Sequence, residues 1–132
     1  MSLNLVLMSM IVWLVMLVTA VIGGAVREKA IAPKLGELRA SQVETIALAV
    51  LFALLIATFV VWMQLAPMQA LAIGIGWCAL TIGFETFMGL VLLRQSWDVV
   101  LGNYNLAAGK FWPIVLAVIL VVPYLAASRL HP

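Results

Sequence analysis

Four long apolar runs constrain this chain more than anything else in it: approximately Leu3 to Val26, Gln42 to Leu65, Gln69 to Leu93 and Phe111 to Ala127. Each is close to the roughly 20 residues that a helix needs to cross the hydrocarbon of a bilayer, at ~1.5 Å rise per residue. The runs are continuously apolar rather than alternating, which excludes membrane strands. Backbone in lipid must satisfy its own hydrogen bonds, so helices remain. The expectation is an all-α polytopic membrane protein, a single four-transmembrane-helix bundle over residues 1–132 with short interfacial turns in the first and third loops. Composition agrees, because 67% hydrophobic and 9% charged residues cannot cover a soluble surface that ordinarily carries about 25% charge. A net charge of +2 and one cysteine, Cys78, exclude a nucleic-acid binder and a disulfide scaffold.

Gly23-Gly24-Ala25 has the small residues of a signal-peptide cleavage site. No basic residue precedes the first run, however, and the run is longer than the usual ~7–15-residue signal core, so the first span is expected to be retained. Orientation follows from Lys and Arg in the short loops. Arg27, Lys29, Lys34 and Arg39 lie in the first loop and Arg94 and Lys110 bracket the third; of the 7 basic residues only Arg129 falls on the other side. Loops 1 and 3 are therefore expected to be cytoplasmic and both termini outside, in a cell membrane of the bacterial inner-membrane type. Their basic residues suit contact with anionic lipid at about 1 kcal/mol each. Trp62 and Tyr124 near the outer ends, with Trp97 and Trp112 near the inner ends, fit aromatic belts.

Ala66-Pro67-Met68 joins the second and third spans so tightly that they must be antiparallel neighbours. In the first loop Pro33 marks the start of a short interfacial helix. Ser41-Gln42-Val43-Glu44 reads as a capping box that opens the second span and accounts for Glu44. In the third loop Ser96 is expected to cap a turn through Trp97, Asp98, Val99, Val100 and Leu101. Gly102-Asn103-Tyr104-Asn105 then turns the chain back. A sharper alternative makes Asp98, Asn103, Tyr104 and Asn105 polar ligands at a cytoplasmic mouth.

Glu85 is different. It lies eight residues in from Leu93, about 12 Å below the boundary at 1.5 Å per residue. An ionised carboxylate facing lipid there costs several kcal/mol, so it needs protonation, a partner or water. Gly74, Cys78, Thr81, Glu85 and Gly89 form a small and polar stripe on one face of the third span, while Ala72, Gly76, Ala79, Gly83 and Thr86 form a second. The third span is thus expected to be the central, most closely packed helix. Its expected counterpart is the first span, with Ser9, Trp13, Met16, Ala20, Gly24 and Arg27 on one face. A Thr19 hydroxyl at matching depth is the expected partner of Glu85; Arg27 sits about two turns nearer the cytoplasm.

The residues contain no nucleotide fingerprint, metal motif or catalytic triad, so no cofactor or metal is expected, and no motif ties the chain to a family. No internal repeat is evident. The expected function is a homo-oligomeric channel or transporter for an ion or small solute, with Glu85, Thr81, Thr19, Gly89 and Arg27 as candidate site residues. Two alternatives stand beside it. One is a non-catalytic accessory or scaffold subunit of a larger membrane complex. The other is a membrane enzyme for a lipophilic substrate, with Glu85, Arg27, Asp98 and Tyr104 converging at the interface.

Overall fold

The computed structural model describes residues 3–102, 104–105 and 109–130. Among them the chain is helical without strands, and four helices are long and apolar enough to cross a membrane. Helix α1, Leu3–Val26, runs through a π-helical turn at Arg27–Ile31 into the short α2, Ala32–Leu35. Helix α3 spans Glu37–Met63 and α4 spans Pro67–Phe87, which continues as a second π-helical turn at Met88–Leu92. The short α5, Trp97–Gly102, and the last span, α6, Trp112–Leu130, complete the fold.

Local chemistry sets most of these boundaries. Pro33 occupies the first turn of α2, where its missing N–H is no loss. Gly36, at φ 87° and ψ 163°, adopts a conformation open essentially only to glycine and separates α2 from α3. That break starts α3 a turn before the expected Ser41-to-Glu44 capping box. Ser41 and Glu44 are interior helical residues, and the box is not formed. At the opposite end Gln64, in the left-handed region at φ 53°, ends α3; Pro67 then opens α4, and the Gln69 side chain accepts from the Ala66 N–H at 3.1 Å. In the third loop Ser96 Oγ accepts from the Val99 N–H at 3.4 Å, as the expected cap of α5.

The core is apolar, with Leu48, Phe52, Ile56, Phe59, Val60, Ile73, Trp77, Val115 and Ile119 all buried. Its centre differs from the expectation: α6, rather than α4, packs extensively on two neighbours, α3 and α4, while α1 rests mainly on α3. Gly74 explains this. A Cβ there would lie 2.9 Å from the Leu120 carbonyl oxygen and 3.1 Å from that of Ile119, so its absence lets the backbones of α4 and α6 meet. Cys78 Sγ contacts the Leu116 carbonyl oxygen at 3.3 Å on the same face.

Helix α1 is held off α4 by large side chains. Its Trp13 indole N–H donates to Thr81 Oγ1 at 3.1 Å, and the Trp77 indole N–H donates back to the Ser9 carbonyl at 3.0 Å. Trp13 also meets Phe84 edge-on, with ring centroids 6.2 Å apart. The inward stripe of α1 is as expected and meets α4 through these side chains, which keep the two backbones apart.

The first and third loops meet at one end of the bundle, where the Gln42 side-chain amide donates to the Gly109 carbonyl at 3.0 Å. This loop end carries all the basic residues except Arg129. Replacement of Gly74 by Ala is expected to destabilise the detergent-solubilised protein by about 1–3 kcal/mol, because an added methyl meets backbone that cannot rotate away. Gly76→Ala, at an outward position where an added Cβ meets nothing, should be neutral or gain up to about 1 kcal/mol of helix propensity. Thermal unfolding of the two variants checks this, and equal effects would contradict the close α4–α6 approach.

Candidate functional site

The gap between α1 and α4 widens toward the loop end into a cavity of ≈ 570 Å³. Ala20, Gly24 and Arg27 line it from the first helix, Ser41, Glu44 and Thr45 from α3, and Phe84, Glu85 and Gly89 from the fourth. Val100 of α5, Tyr104, Lys110 and Trp112 close the other side, with Glu37 also at its wall. Deeper in the bundle a second cavity of ≈ 170 Å³ is lined mostly by apolar side chains, among them Trp13, Met16, Phe52 and Ile119, with the Thr81 hydroxyl. Ala20, Phe84, Glu85 and Trp112 border both. Glu85 therefore stands where a polar vestibule ends and an apolar chamber begins.

The Tyr104 hydroxyl donates to Glu85 Oε2 at 2.6 Å, the short distance of a strong O–H to carboxyl bond. The Trp112 indole lies close enough to influence the same carboxyl, but outside hydrogen-bond geometry, so its buried Nε1 is left unpartnered. No basic side chain among the described residues forms an ion pair with Glu85. Burial and the neighbouring Glu85 push the Tyr104 phenol well above its ordinary value of 10.0, because a phenolate there would be poorly solvated and would lose its donated bond.

A second pair forms the opposite wall. Arg27 Nη1 lies 3.0 Å from Glu44 Oε2, and Arg27 Nη2 lies 3.7 Å from the exposed Glu28. The contact with Glu44 is an ion pair without hydrogen-bond alignment, so Arg27 Nε and Glu44 Oε2 are both buried without a hydrogen bond. Arg27 opens one π-helical turn, and the other lies directly after Phe87 on the facing helix. The extra residue in a π turn rotates the following side chains, and such turns recur at functional sites.

These positions divide the sequence candidates. Glu85, Arg27, Gly89 and Tyr104 share the vestibule, and Thr81 lines the inner chamber. Gly89 is buried beneath Val100 of α5. Thr19 does not meet Glu85: its hydroxyl donates to the Val15 carbonyl at 2.8 Å, the usual bond of a helical threonine to its own preceding turn. Asp98 is exposed on α5 and does not line the cavity, and exposed Asn105 likewise stays outside it. Asn103 lies outside the described residues.

Two lining residues carried other assignments in the sequence. Glu44 was explained by a cap that does not form, and Trp112 by an aromatic belt. A second acidic residue at the depth of Arg27 was the available signal for the first; Trp112 gave none, since only the fold brings it to Glu85.

The Tyr104 environment is testable by titration. In Tyr124→Phe, Tyr104 is the remaining one of the 2 tyrosines. One pH unit above 10.0 an ordinary phenol is about nine-tenths ionised, but this variant should show almost no tyrosinate absorbance until it unfolds. The unfolded chain releases the proton that the folded protein keeps, so stability should fall as pH rises through 10.0, and additional Tyr104→Phe should flatten that slope. Tyrosinate appearing at the ordinary pH in folded protein would contradict the buried Glu85 contact. Compared with known proteins, the chain matches no family model, no curated protein and no solved structure.

Proposed function

We propose that the protein is a small membrane transporter or channel for an ion or small solute, in which Glu85 is the proton- or cation-responsive group. The observation that carries this reading is the position of Glu85 on the border of both cavities. An ionisable residue inside a membrane that faces a cavity instead of lipid is where substrate and proton paths run. In this reading Arg27 and Gly89 line the approach from the loop end, and Thr81 lines the chamber beyond Glu85, its hydroxyl donating to the Trp77 carbonyl at 2.8 Å and accepting the Trp13 indole N–H. Tyr104 covers the carboxyl and must yield its hydrogen bond to whatever binds there.

By the distribution of basic residues the vestibule opens to the cytoplasm, with exposed Lys29, Lys34, Arg39 and Arg94 resting on anionic lipid. The working unit in this reading is a homo-oligomer. The stripe Ala72, Gly76, Ala79 and Gly83 supports that, because it is exposed on the outside of α4 and would let a helix of a second copy approach closely.

In proteoliposomes, Glu85→Gln is expected to reduce a proton or monovalent-cation flux to the protein-free level while the purified variant keeps the wild-type elution volume. Wild-type flux in this variant would contradict the proposal.

A further inference from the structure

The surroundings of Glu85 also say what class of molecule fits, and this inference rests on the transport reading. Three carboxylates, Glu37, Glu44 and Glu85, line the vestibule against two cations, Arg27 and Lys110. Arg27 is already engaged by Glu44 at 3.0 Å, and Glu85 accepts the Tyr104 hydroxyl but has no ion-pair partner among the described residues. The charge lacking at Glu85 is therefore positive. Trp13, Phe84 and Trp112 border the inner chamber beside it, and the face of an aromatic ring favours an ammonium group, by roughly 0.5–1 kcal/mol where water reaches it and about 2 kcal/mol where it does not. Beyond the carboxyl the chamber of ≈ 170 Å³ holds about five or six water-sized groups at ~30 Å³ apiece. Its apolar walls suit methylenes better than water.

We propose that the junction of the two cavities binds a protonated primary amine with a short unbranched apolar tail, its ammonium on Glu85 and its tail in the chamber between Trp13, Phe52 and Ile119. The ammonium takes over the hydrogen bond that Tyr104 gives to Glu85 and supplies the missing counter-charge. An anion with the same tail has no place at this junction, because it would bring a second negative charge to a desolvated carboxyl. A neutral alcohol keeps the tail contacts and loses the ion pair.

The test is equilibrium binding to the purified full-length protein in detergent, read by tryptophan fluorescence, with hexylammonium, hexanol, hexanoate and methylammonium as probes. Hexylammonium should saturate a site at least about tenfold more tightly than any of the other three. Glu85→Gln should weaken it by at least about tenfold and abolish the preference for amine over alcohol. Leu17→Phe, which narrows the inner chamber from α1 without lining the vestibule, should weaken hexylammonium but leave methylammonium unchanged; it also guards against misfolding of the Glu85 variant. Hexanoate binding as tightly as the amine, or hexylammonium binding unaffected by Glu85→Gln, would overturn the proposal. Glu85-dependent flux without hexylammonium binding would overturn the amine site alone, whereas hexylammonium binding without any flux would overturn the transport reading alone.

Discussion

A carboxyl group within an apolar helix long enough to span a bilayer must be solvated by something other than lipid, and the loop end of this bundle is organised around that need. Glu85 receives the Tyr104 hydroxyl at 2.6 Å, faces a cavity of ≈ 570 Å³ and has the Trp112 indole beside it. Each of these comes from a different part of the chain. Tyr104 belongs to the third loop and Trp112 to the start of α6, while the cavity exists because α1 does not close on α4. Removal of the carboxyl would leave a phenol and a cavity without their common partner. Burying it fully would leave an acid with one hydrogen bond in low dielectric.

The cavity depends in turn on how the helices divide their work. Gly74 lets α6 lie against the backbone of α4, and α6 also covers α3, so these three helices supply most of the close packing. Helix α1 is tied to α4 through two indole N–H groups, from Trp13 and Trp77. Long side chains that bond across a gap hold two helices at a distance as well as together. Near the turn end the rings fill that space; near the loop end, where Ala20 and Gly24 face inward, it stays open. The Arg27–Glu44 pair then supports the mouth, and loss of one partner would strand the other partly buried, which is costly.

Much of this was legible in the sequence because it follows from local chemistry. Span length identified the four helices, Ser96 the start of α5, and the one acidic residue deep within a span that no cap accounted for pointed to Glu85. The misreadings have physical causes. The Ser41-to-Glu44 spacing satisfies a capping box, but the break at Gly36 sets the true helix start a turn earlier, and the same Glu44 finds Arg27 through a π turn that no 3.6-residue periodicity anticipates. Thr19 matches Glu85 in depth, yet a helical threonine has its own backbone carbonyl within reach. Small residues on α4 marked a face for close approach without saying that α6 would take it. Tyr104 was legible as a polar loop residue, but its bond to Glu85 is separated by a helix and two turns, and Trp112 reaches the site only through tertiary packing.

The proposal that Glu85 is an intramembrane carboxyl whose open approach is the vestibule at the loop end is open to one direct measurement. Cys78 is the single cysteine, so Cys78→Ser with Glu85→Cys places one thiol at the cavity junction, and a membrane-impermeant maleimide can be added to either face of oriented vesicles. Labelling is predicted to be at least about tenfold faster when the reagent is on the face bearing the first and third loops than when it is on the opposite face. Equal or faster labelling from the opposite face, or labelling from neither, would contradict it.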